Sequence, residues 1–439
     1  MHSLVSKNAH SLQKVPTQKT IKPLVSIDDI CIILRSMCQA SMQEMQGFPT
    51  EQSLDEFDLP LTSFLVNRTK AIDTAETASS AQTLASALCT MFSCKHLIKE
   101  LKPQQSLKYW ATMVYKVWSI SPTHIVFATS GSTGTAVYQC HHVAFLEQEA
   151  KVLAHYLVDN RKRIVASAPA HHIYGFLFTL LLPKFAKLPV IYPPVFPTAE
   201  YTKHLKAGDL IISFPFFWQA LIALEVQIGE DIHGISSTSP CPPAILKAIT
   251  HLGIESIINI YGSSETGGIG FQKGAEAPFT LFPFWQKSGV TDSTIQRKLP
   301  KNAPTTPFAT PQGTLCLPFW EKIQLPDKTQ WINETNFIIQ GRHDTIVQVG
   351  GRNVSLTRTQ QCLQSHPLVQ HCAVRLMGPE EGKRLKCFCV LLCPKSEEEQ
   401  VKKELFSLCR KHLTAPERPK KIHFGTELPT NALGKLQDW

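Results

Sequence analysis

The feature that most constrains the fold of this chain is an alternation of strand-like and helix-like segments through its middle. Short apolar runs of strand-like composition, "HIVFATS", "RIVASAPA", "DLIISFP" and "SIINIYGSS", end in small or turn-forming residues and are separated by helical stretches such as "FLEQEAKVLAHYLV". This alternation is typical of a layered α/β domain whose functional loops lie at the ends of strands. Because 439 residues exceed one ordinary core, we expect a large domain and a smaller one.

Changes in composition and in apolar spacing along the sequence also indicate where these domains begin and end. We predict a flexible tail at 1–25, which is acid-free and rich in Ser, Thr, Gln and Lys, and a large N-terminal domain at 26–341 that begins with mainly helical sequence. Residues 272–312 are rich in Pro, Gly, Thr and Phe and predict loops and short strands over its surface. Helix-like and strand-like segments alternate again in 342–439, which predicts a small α+β C-terminal domain.

Composition excludes several classes of protein. A chain with 43% hydrophobic and 18% charged residues is expected to be soluble and globular, and its longest apolar run, "YGFLFTLLLP", is about half the length of a membrane span, so we expect a buried core segment there. The net charge of +9 suits a phosphate-bearing partner, but the basic residues are not interleaved with aromatics as in nucleic-acid binding proteins. Thirteen scattered cysteines without a secretory signal indicate free thiols and a cytoplasmic location.

A Ser/Gly/Thr-rich loop, "TSGSTG", follows the strand-like run "IVFA". Glycines let the backbone wrap closely around an anion, and the hydroxyl groups add donors, so the loop is a candidate phosphate site. Its spacing matches neither a Walker loop nor a G-x-G-x-x-G dinucleotide site, it has no lysine, and on its own such a cluster is more often a simple turn. The candidate residues are Thr129, Ser130, Gly131, Ser132, Thr133 and Gly134.

Further motifs follow this loop in order: "PAHHIYG", "SSTSPCP", "YGSSETG", "LPD", "GRHDTIVQVGG" and "LPTNALGK". Together with "TSGSTG" they resemble the acyl-adenylate-forming ligases, the superfamily of acyl- and aryl-CoA synthetases, luciferases and peptide-synthetase adenylation domains. The resemblance spans about Ile125 to the C-terminus and is weak before it. It implies a large layered N-terminal adenylate-forming domain with a small, mobile α+β C-terminal domain.

The resemblance also implies roles for individual residues. His172 would lie at the lip of the acyl pocket, Tyr261 would stack on adenine, and Glu265 would hold Mg²⁺. Asp327 would bind both ribose hydroxyls, with Arg342 beside it, because a carboxylate has two acceptor oxygens and a guanidinium has forked donors. The rest of the nucleotide-binding set implied in this way is Ser239, Gly262, Ser264 and Thr266.

Two residues of the small domain complete this set. Asp344 stands in the G-R-x-D motif where the family's small domain pivots, and Lys435 stands in the closing motif that carries the family's adenylating lysine. The positive charge that the phosphate loop lacks would therefore come from the end of the chain, as the small domain brings Lys435 to the α-phosphate of ATP.

The chemistry that the resemblance implies has two steps. A carboxylate attacks the α-phosphate of ATP to give acyl-AMP and pyrophosphate, and a thiol of coenzyme A, or of a phosphopantetheinyl acyl carrier protein, then displaces AMP. The first step needs no strong general base because the carboxylate is already an anion at neutral pH. The pocket segments "HHIYGFLFTLLL" and "FPFFWQAL" are apolar and aromatic, without an aspartate for an ammonium group, so we expect an apolar or aromatic acid as substrate.

The sequence also departs from the family pattern. Ala136 and Val137 replace the usual Pro-Lys after the phosphate loop, and Gln348 replaces a lysine after the hinge, which puts the thiol step in more doubt than adenylation. Glu265 and Asp327 would also suit capping or surface roles, which are commoner for carboxylates. We therefore keep two alternative functions open, a stand-alone acyl-AMP ligase acting only on a carrier protein and a degenerate nucleotide-binding scaffold without activity.

Overall fold

The computed structural model describes most of the chain. The described residues are 23–43, 58–62, 74–130, 136–193, 196–238, 241, 243–274, 276–289, 293–300, 303, 308–309, 315–316, 322–325, 327–342, 346–349, 352–378, 381–382, 384–430 and 436–439. None of the helices in these ranges is both long and apolar enough to cross a membrane.

The chain begins with a layer of helices, as its three- and four-residue apolar spacing predicts. They are α1 (Ile27–Gln43), α2 (Thr74–Met91), a 3₁₀ turn at Lys95–Lys99, and α3 (Leu107–Trp118). Ser26 and Asp29 begin α1 with reciprocal bonds: the Ser26 N–H donates to the Asp29 carboxylate at 2.7 Å, and the Asp29 N–H donates to Ser26 Oγ at 3.2 Å. One face of each helix is buried in the main hydrophobic core.

The strands of the large domain are short. They are β1 (His124–Ser130), β2 (Ala136–His142), β3 (Arg163–Ala166), β4 (Val190–Ile191), β5 (Asp209–Ser213), β6 (Ile232–Ser236), β7 (Ile254–Ser263), β8 (Gly267–Lys273), β9 (Phe279–Leu281), β10 (Trp285–Lys287), β11 (Thr294–Arg297), β12 (Phe308–Ala309), β13 (Leu315–Cys316), β14 (Ile323–Gln324), β15 (Asp327–Trp331) and β16 (Asn336–Arg342).

Nine of these strands form one mixed sheet in the order β15-β16-β9-β8-β7-β6-β5-β3-β4. The block from β7 to β4 is parallel, and β8, β9, β16 and β15 add to it in antiparallel fashion. β1 and β2 pair with each other as a separate antiparallel hairpin. Because parallel strands end at the same edge, the turn after β7 lies at the edge where such sheets bind ligands.

Helices connect the parallel strands, as the alternation predicts. They are α4 (Val143–Tyr156), α5 (Ile173–Gly175) with a π-helical continuation at Phe176–Leu181, α6 (Leu182–Ala186), α7 (Ala199–Lys203), α8 (Pro215–Ala223) and α9 (Pro243–His251). The run "YGFLFTLLLP" is buried along the π-helical continuation, which confirms that it is a core segment.

The C-terminal part has its own small core. It contains β17 (Ile346–Val349), β18 (Arg352–Ser355), α10 (Leu356–Gln364), β19 (Val369–Leu376), β20 (Leu385–Leu391), α11 (Glu398–His412) and β21 (Lys421–Gly425). β19, β20 and β21 form one sheet, and its core packs against α10 and α11. The α+β character is confirmed, whereas the boundary at residue 342 and the mobility of this domain stay predictions.

The expectation of free thiols holds for most cysteines in the part of the chain that the structure describes. The cysteines recorded as free are mostly buried, and Cys372 and Cys389 bring their sulfur atoms within 3.6 Å of each other in the core of the small domain. Cys140 on β2 is disulfide-bonded, so the expectation that all the thiols are free is wrong there.

Candidate active site

The turn that follows β7 presents Glu265 to solvent. Ser263 and Thr266 close this turn, since the Ser263 N–H donates to Thr266 Oγ1 at 3.2 Å and the Thr266 N–H donates to Ser263 Oγ at 3.3 Å. Gly267 adopts a φ of +70°, and a Cβ atom there would lie 2.5 Å from a Glu149 carboxylate oxygen, so a glycine is required. The Glu265 side chain is left exposed at the rim of the sheet.

A buried ion pair supports this turn from below. Glu149 on α4 and Arg297 on β11 have side chains that are each 1% exposed, with 3.5 Å between Arg297 Nη2 and Glu149 Oε2. The Gly268 N–H donates to Glu149 Oε1 at 2.7 Å, and Arg297 Nη1 donates to the Thr266 carbonyl at 3.2 Å. The two charges therefore hold the backbone on either side of Gly267.

Burial dominates the titration of this pair. It raises the pKa of Glu149 to about 7, against the opposing attraction of Arg297 and the Gly268 N–H, and it lowers the pKa of Arg297 to about 10. Arg297 keeps further acceptors at the Phe145 carbonyl (2.9 Å) and Gln148 Oε1 (3.1 Å), and its guanidinium lies 4.5 Å from the centre of the Phe284 ring.

Strand β2 touches the same turn from the side. His141 Nε2 donates to the Ser264 carbonyl at 2.7 Å, and Gln139 Nε2 donates to Glu265 Oε1 at 3.4 Å. Burial lowers the pKa of His141 to about 4, so its imidazole is neutral at physiological pH. His141 and Gln139 therefore connect the β1–β2 hairpin to the turn at Glu265.

A second contact joins two residues that the sequence places far apart. The Tyr261 hydroxyl, near the end of β7, donates to Asp327 Oδ2 at the start of β15 at 2.6 Å. The Tyr261 ring lies 5.8 Å from the Phe279 ring and 5.9 Å from the Phe337 ring, centre to centre. Asp327 pairs directly with Arg342 across β15 and β16, so Tyr261, Asp327 and the backbone of Arg342 lie together at the sheet edge.

The structure describes some of the predicted site residues only in part and others not at all. Thr129 and Ser130 end β1, paired with Val137 and Ala136 of β2. Of Arg342 and Gln348 the structure describes the backbone in β16 and β17. The predicted residues that lie outside the described ranges are Gly131, Ser132, Thr133, Gly134, Ser239, Asp344 and Lys435.

A cavity of about 260 Å³ lies on the other side of the β1–β2 hairpin. Its walls come from α1, α2, the hairpin and the segment before α5, and they are Met37, Ser41, Thr83, Leu84, Ala87, Thr90, Met91, Val126, Ala128, Tyr138, His171 and His172. Among the described residues that line it there is no aspartate, glutamate, lysine or arginine. Ala128 directly precedes the phosphate loop, so the cavity reaches the base of that loop.

The two histidines on the cavity wall are held by α1. Ser36 Oγ and His171 Nδ1 are 2.8 Å apart, and the His171 and His172 rings lie 4.2 Å apart, centre to centre. Burial lowers the pKa of His171 well below its ordinary value, so a neutral imidazole packs against His172. The structure thus places His172 at a cavity wall, and its role at the lip of an acyl pocket stays a prediction.

Most aromatic side chains of the segments expected to shape the pocket are packed inside the domain, while His171 and His172 of the first segment line the cavity. Phe176 and Phe178 belong to the main core, and Phe217 and Trp218 belong to a second cluster, all with almost no exposure. Helices α1 and α2 supply much of the cavity wall, and sequence reasoning missed them because the family resemblance is weak before residue 125. The available signal was the spacing of Thr83, Ala87 and Thr90, which places them on one helical face.

Comparison with known families matches both parts of the chain. The sequence profile of the AMP-binding enzymes matches residues 62–300, and that of the AMP-binding enzyme C-terminal domain matches residues 359–435.

Curated relatives and solved structures agree with these matches. The chain is 32% identical to a 4-coumarate–CoA ligase of Cereibacter sphaeroides (71% of this chain, 70% of the relative) and 35% identical to one of Halorhodospira halophila (71% and 75%). The crystal structure of ATP-bound MatB from Rhodopseudomonas palustris superposes with a TM-score of 0.56 at 15% identity, covering 92% of this chain and 91% of MatB. At that identity the structural match shows the fold alone.

Proposed function

Because the chain belongs to the AMP-binding enzymes, as an acid–thiol ligase that converts a carboxylic acid to acyl-AMP and then to its CoA thioester, we propose that its acid is of the hydroxycinnamate class. The observation that carries the adenylation site is the 2.6 Å hydrogen bond between Tyr261 and Asp327 at the rim next to Glu265. The Tyr261 ring, the Asp327 carboxylate and Glu265, the candidate metal ligand, therefore lie at one edge of the sheet, as binding of ATP requires.

In this proposal the nucleotide lies along that edge. Tyr261 offers its ring to the adenine, and Asp327, oriented by the Tyr261 hydroxyl at Oδ2, accepts from the ribose hydroxyls, with Arg342 beside it. Thr129 and Ser130 end β1 where the phosphate loop begins, and the loop residues Gly131 to Gly134 bind the β- and γ-phosphates through N–H groups and hydroxyls. The further members of this set are Ser239, Gly262, Ser264 and Thr266.

Glu265 fits the oxygen-ligand chemistry of Mg²⁺. Its carboxylate is exposed, and of its two oxygens Oε1 accepts from Gln139 at 3.4 Å, a weak bond that leaves the group available to a cation. Bound there, the ion would supply charge neutralisation for the phosphates of ATP. The chain's own contribution is to hold Glu265 in place through the Ser263–Thr266 bonds and the Glu149–Arg297 pair.

The first step then depends on positioning and charge. The substrate carboxylate is already an anion and forms a bond to the α-phosphorus, while the bond to the bridging oxygen of pyrophosphate breaks. Lys435 supplies the cation that stabilises charge developing on the α-phosphate, and Asp344 serves as the pivot that brings the small domain over the site.

The cavity behind the hairpin suits the acid. Its apolar walls accept an aromatic ring, and Ser41, Thr90 and Tyr138 offer hydroxyl groups to a ring substituent. An acid seated there would direct its carboxylate toward Ala128 and the base of the phosphate loop, past His172. The naming of three relatives as 4-coumarate–CoA ligases supports a hydroxylated aromatic acid over an aliphatic one.

For the thiol step we propose free coenzyme A as the acceptor, with a phosphopantetheinyl carrier protein as the alternative. Arg410, Lys411 and His412 at the end of α11 form a basic surface suited to phosphate groups of either acceptor. Gln348, in place of the usual lysine, bears on this second step.

The test is pyrophosphate release from ATP and Mg²⁺ with 4-coumarate, benzoate and a medium-chain fatty acid, each with and without coenzyme A. We expect continuous turnover with 4-coumarate that requires coenzyme A. A single turnover would instead favour a carrier protein as acceptor, and preference for the fatty acid would overturn the proposed acid. A protein that neither binds ATP nor releases pyrophosphate with any acid would favour a scaffold.

A further inference from the structure

The last described residues of the chain, 436–439, lie on the sheet of the small domain. They contact Lys386 on β20, whose side chain is only 2% exposed. The Lys386 ammonium donates to both oxygens of Glu381 (2.8 and 3.0 Å), to Asp438 Oδ1 (3.1 Å) and to the Trp439 backbone carbonyl (2.7 Å). Two of its acceptor groups therefore belong to the tail.

Arg375 holds the same tail from the neighbouring strand. It stands directly opposite Lys386 in the β19–β20 register and forms an ion pair with Asp438. Its guanidinium carbon lies 4.5 Å from the centre of the Trp439 ring, and the Phe388 ring makes an edge contact with the same indole at 5.9 Å, centre to centre. The Trp439 indole and the Asp438 carboxylate are thus both held by cations on β19 and β20.

The other end of this tail is tied back to the chain. The Gln437 N–H donates to the Pro429 carbonyl at 2.7 Å, and Thr430 and Leu436 form an isolated antiparallel bridge. Lys435 directly precedes Leu436, so the residues on either side of the segment that carries Lys435 are joined to each other.

A buried lysine is costly unless anions surround it, which makes this arrangement informative. Glu381 provides one anion from the domain itself, and Asp438 brings the second from the tail. Docking of the tail therefore completes the environment of Lys386, and loss of the Lys386 charge would loosen the tail, which Arg375 would then hold alone. The cluster therefore ties a buried lysine of the small domain to the short stretch that follows Lys435.

We propose that Lys386 and Arg375 are positioning residues that fix the C-terminal tail and thereby present Lys435 to the α-phosphate. This inference rests on the proposed function in one respect, the role of Lys435 in adenylation. Because reactive geometry is sensitive to displacements near 1 Å, loosening the tail should slow adenylation by up to about 100-fold. Thioester formation from ready-made acyl-AMP does not need Lys435 at the α-phosphate and should be spared.

The experiment compares Lys386→Met with Lys421→Met in the full-length protein. Lys421 is the exposed lysine that pairs with Lys386 across β20 and β21, so its variant removes a charge from the same sheet without touching the tail. Two reactions are measured: formation of 4-coumaroyl-AMP from ATP and 4-coumarate, and thioester formation from synthetic 4-coumaroyl-AMP and coenzyme A. We expect Lys386→Met to slow only the first, and Lys421→Met to change neither.

Hydrogen exchange at the Gln437 amide provides a second readout that does not depend on activity. Lys386→Met should lower the protection of this amide, whereas Lys421→Met should leave it unchanged. If the wild-type protein forms no acyl-AMP, the proposed function fails while this readout still tests the anchoring. Equal slowing of both reactions would reveal a general structural role, and unchanged adenylation or unchanged protection in Lys386→Met would overturn the inference.

Discussion

Replacing Arg297 by methionine is expected to destabilise the large domain by about 3–5 kcal/mol, the usual cost of removing one partner of a buried ion pair. The change removes a charge 3.5 Å from Glu149, an attraction of roughly 5 kcal/mol at an effective dielectric constant of about 20. It also leaves the buried carbonyls of Thr266 and Phe145 without the Arg297 donor. Part of the loss is offset because Glu149 can take up a proton.

Glu149→Gln should cost much less. Glutamine retains an oxygen that can accept from the Gly268 N–H, and Arg297 keeps acceptors at Thr266, Phe145 and Gln148. The contrast between the two variants follows from burial, which raises the pKa of Glu149 to about 7, so that the wild-type carboxyl is already partly protonated at neutral pH.

The pH dependence has a definite sign. A carboxyl whose pKa is higher in the folded than in the unfolded protein contributes stability that is complete below its unfolded pKa and is lost as pH rises through the folded pKa. For Glu149 this window runs from the ordinary value of 4.5 to about 7. Because one pKa unit corresponds to about 1.4 kcal/mol, wild type should lose roughly 3 kcal/mol relative to Glu149→Gln across it.

The assay is urea unfolding of wild type, Arg297→Met and Glu149→Gln at pH values from 4 to 8, followed by tryptophan fluorescence. Lys151→Met is the matched control, because Lys151 forms an exposed ion pair with Glu147 on the same helix and should cost at most about 1 kcal/mol. If Glu149→Gln is as destabilising as Arg297→Met, or if its difference from wild type does not change with pH, the reasoning from burial is wrong.

Three further predictions concern activity. Lys435→Ala should abolish most acyl-AMP formation, measured as pyrophosphate release, while thioester formation from supplied acyl-AMP continues; full adenylation in this variant would refute the assigned role. Tyr261→Phe removes the 2.6 Å bond to Asp327 and should raise the KM for ATP by about 10-fold, since bonds to charged groups contribute about 1.5–3 kcal/mol, and an unchanged KM would separate this contact from nucleotide binding. Ala87→Phe should fill the cavity and raise the KM for 4-coumarate by at least about 10-fold, whereas Ser86→Phe, at a neighbouring position of α2 that does not line the cavity, should not; equal effects would place the acid elsewhere.

Local patterns in the sequence predicted the framework of the molecule well. Apolar periodicity identified strands such as β5 and β7 and helices such as α4 and α11, because burial of one face or of both faces leaves a repeat that can be read directly from neighbouring residues. Motif order then singled out Tyr261 and Asp327, which the fold brings into contact across 66 positions of sequence.

The supporting contacts could not be predicted in the same way. Arg297 lies in the stretch expected to form surface loops, yet it is 2% exposed and pairs with a residue 148 positions earlier. Glu149 gave only an indirect signal, a carboxylate on the buried face of α4 among Phe145, Leu146 and Leu153. The role of a buried charge can be inferred only when its partner is known, and the identity of that partner depends on tertiary packing rather than on local periodicity.

The β1–β2 hairpin has a consequence for the order and strength of ligand binding. Successive side chains of a strand point to opposite faces, so Tyr138 borders the cavity while its neighbour Gln139 reaches Glu265. If the acid binds on one face and ATP at the turn on the other, as proposed, a shift of the hairpin on binding one ligand would alter the site of the other. By thermodynamic linkage, the factor by which the acid changes ATP affinity must equal the factor by which ATP changes acid affinity. A hairpin shared by the two sites would therefore make each substrate an effector of the other.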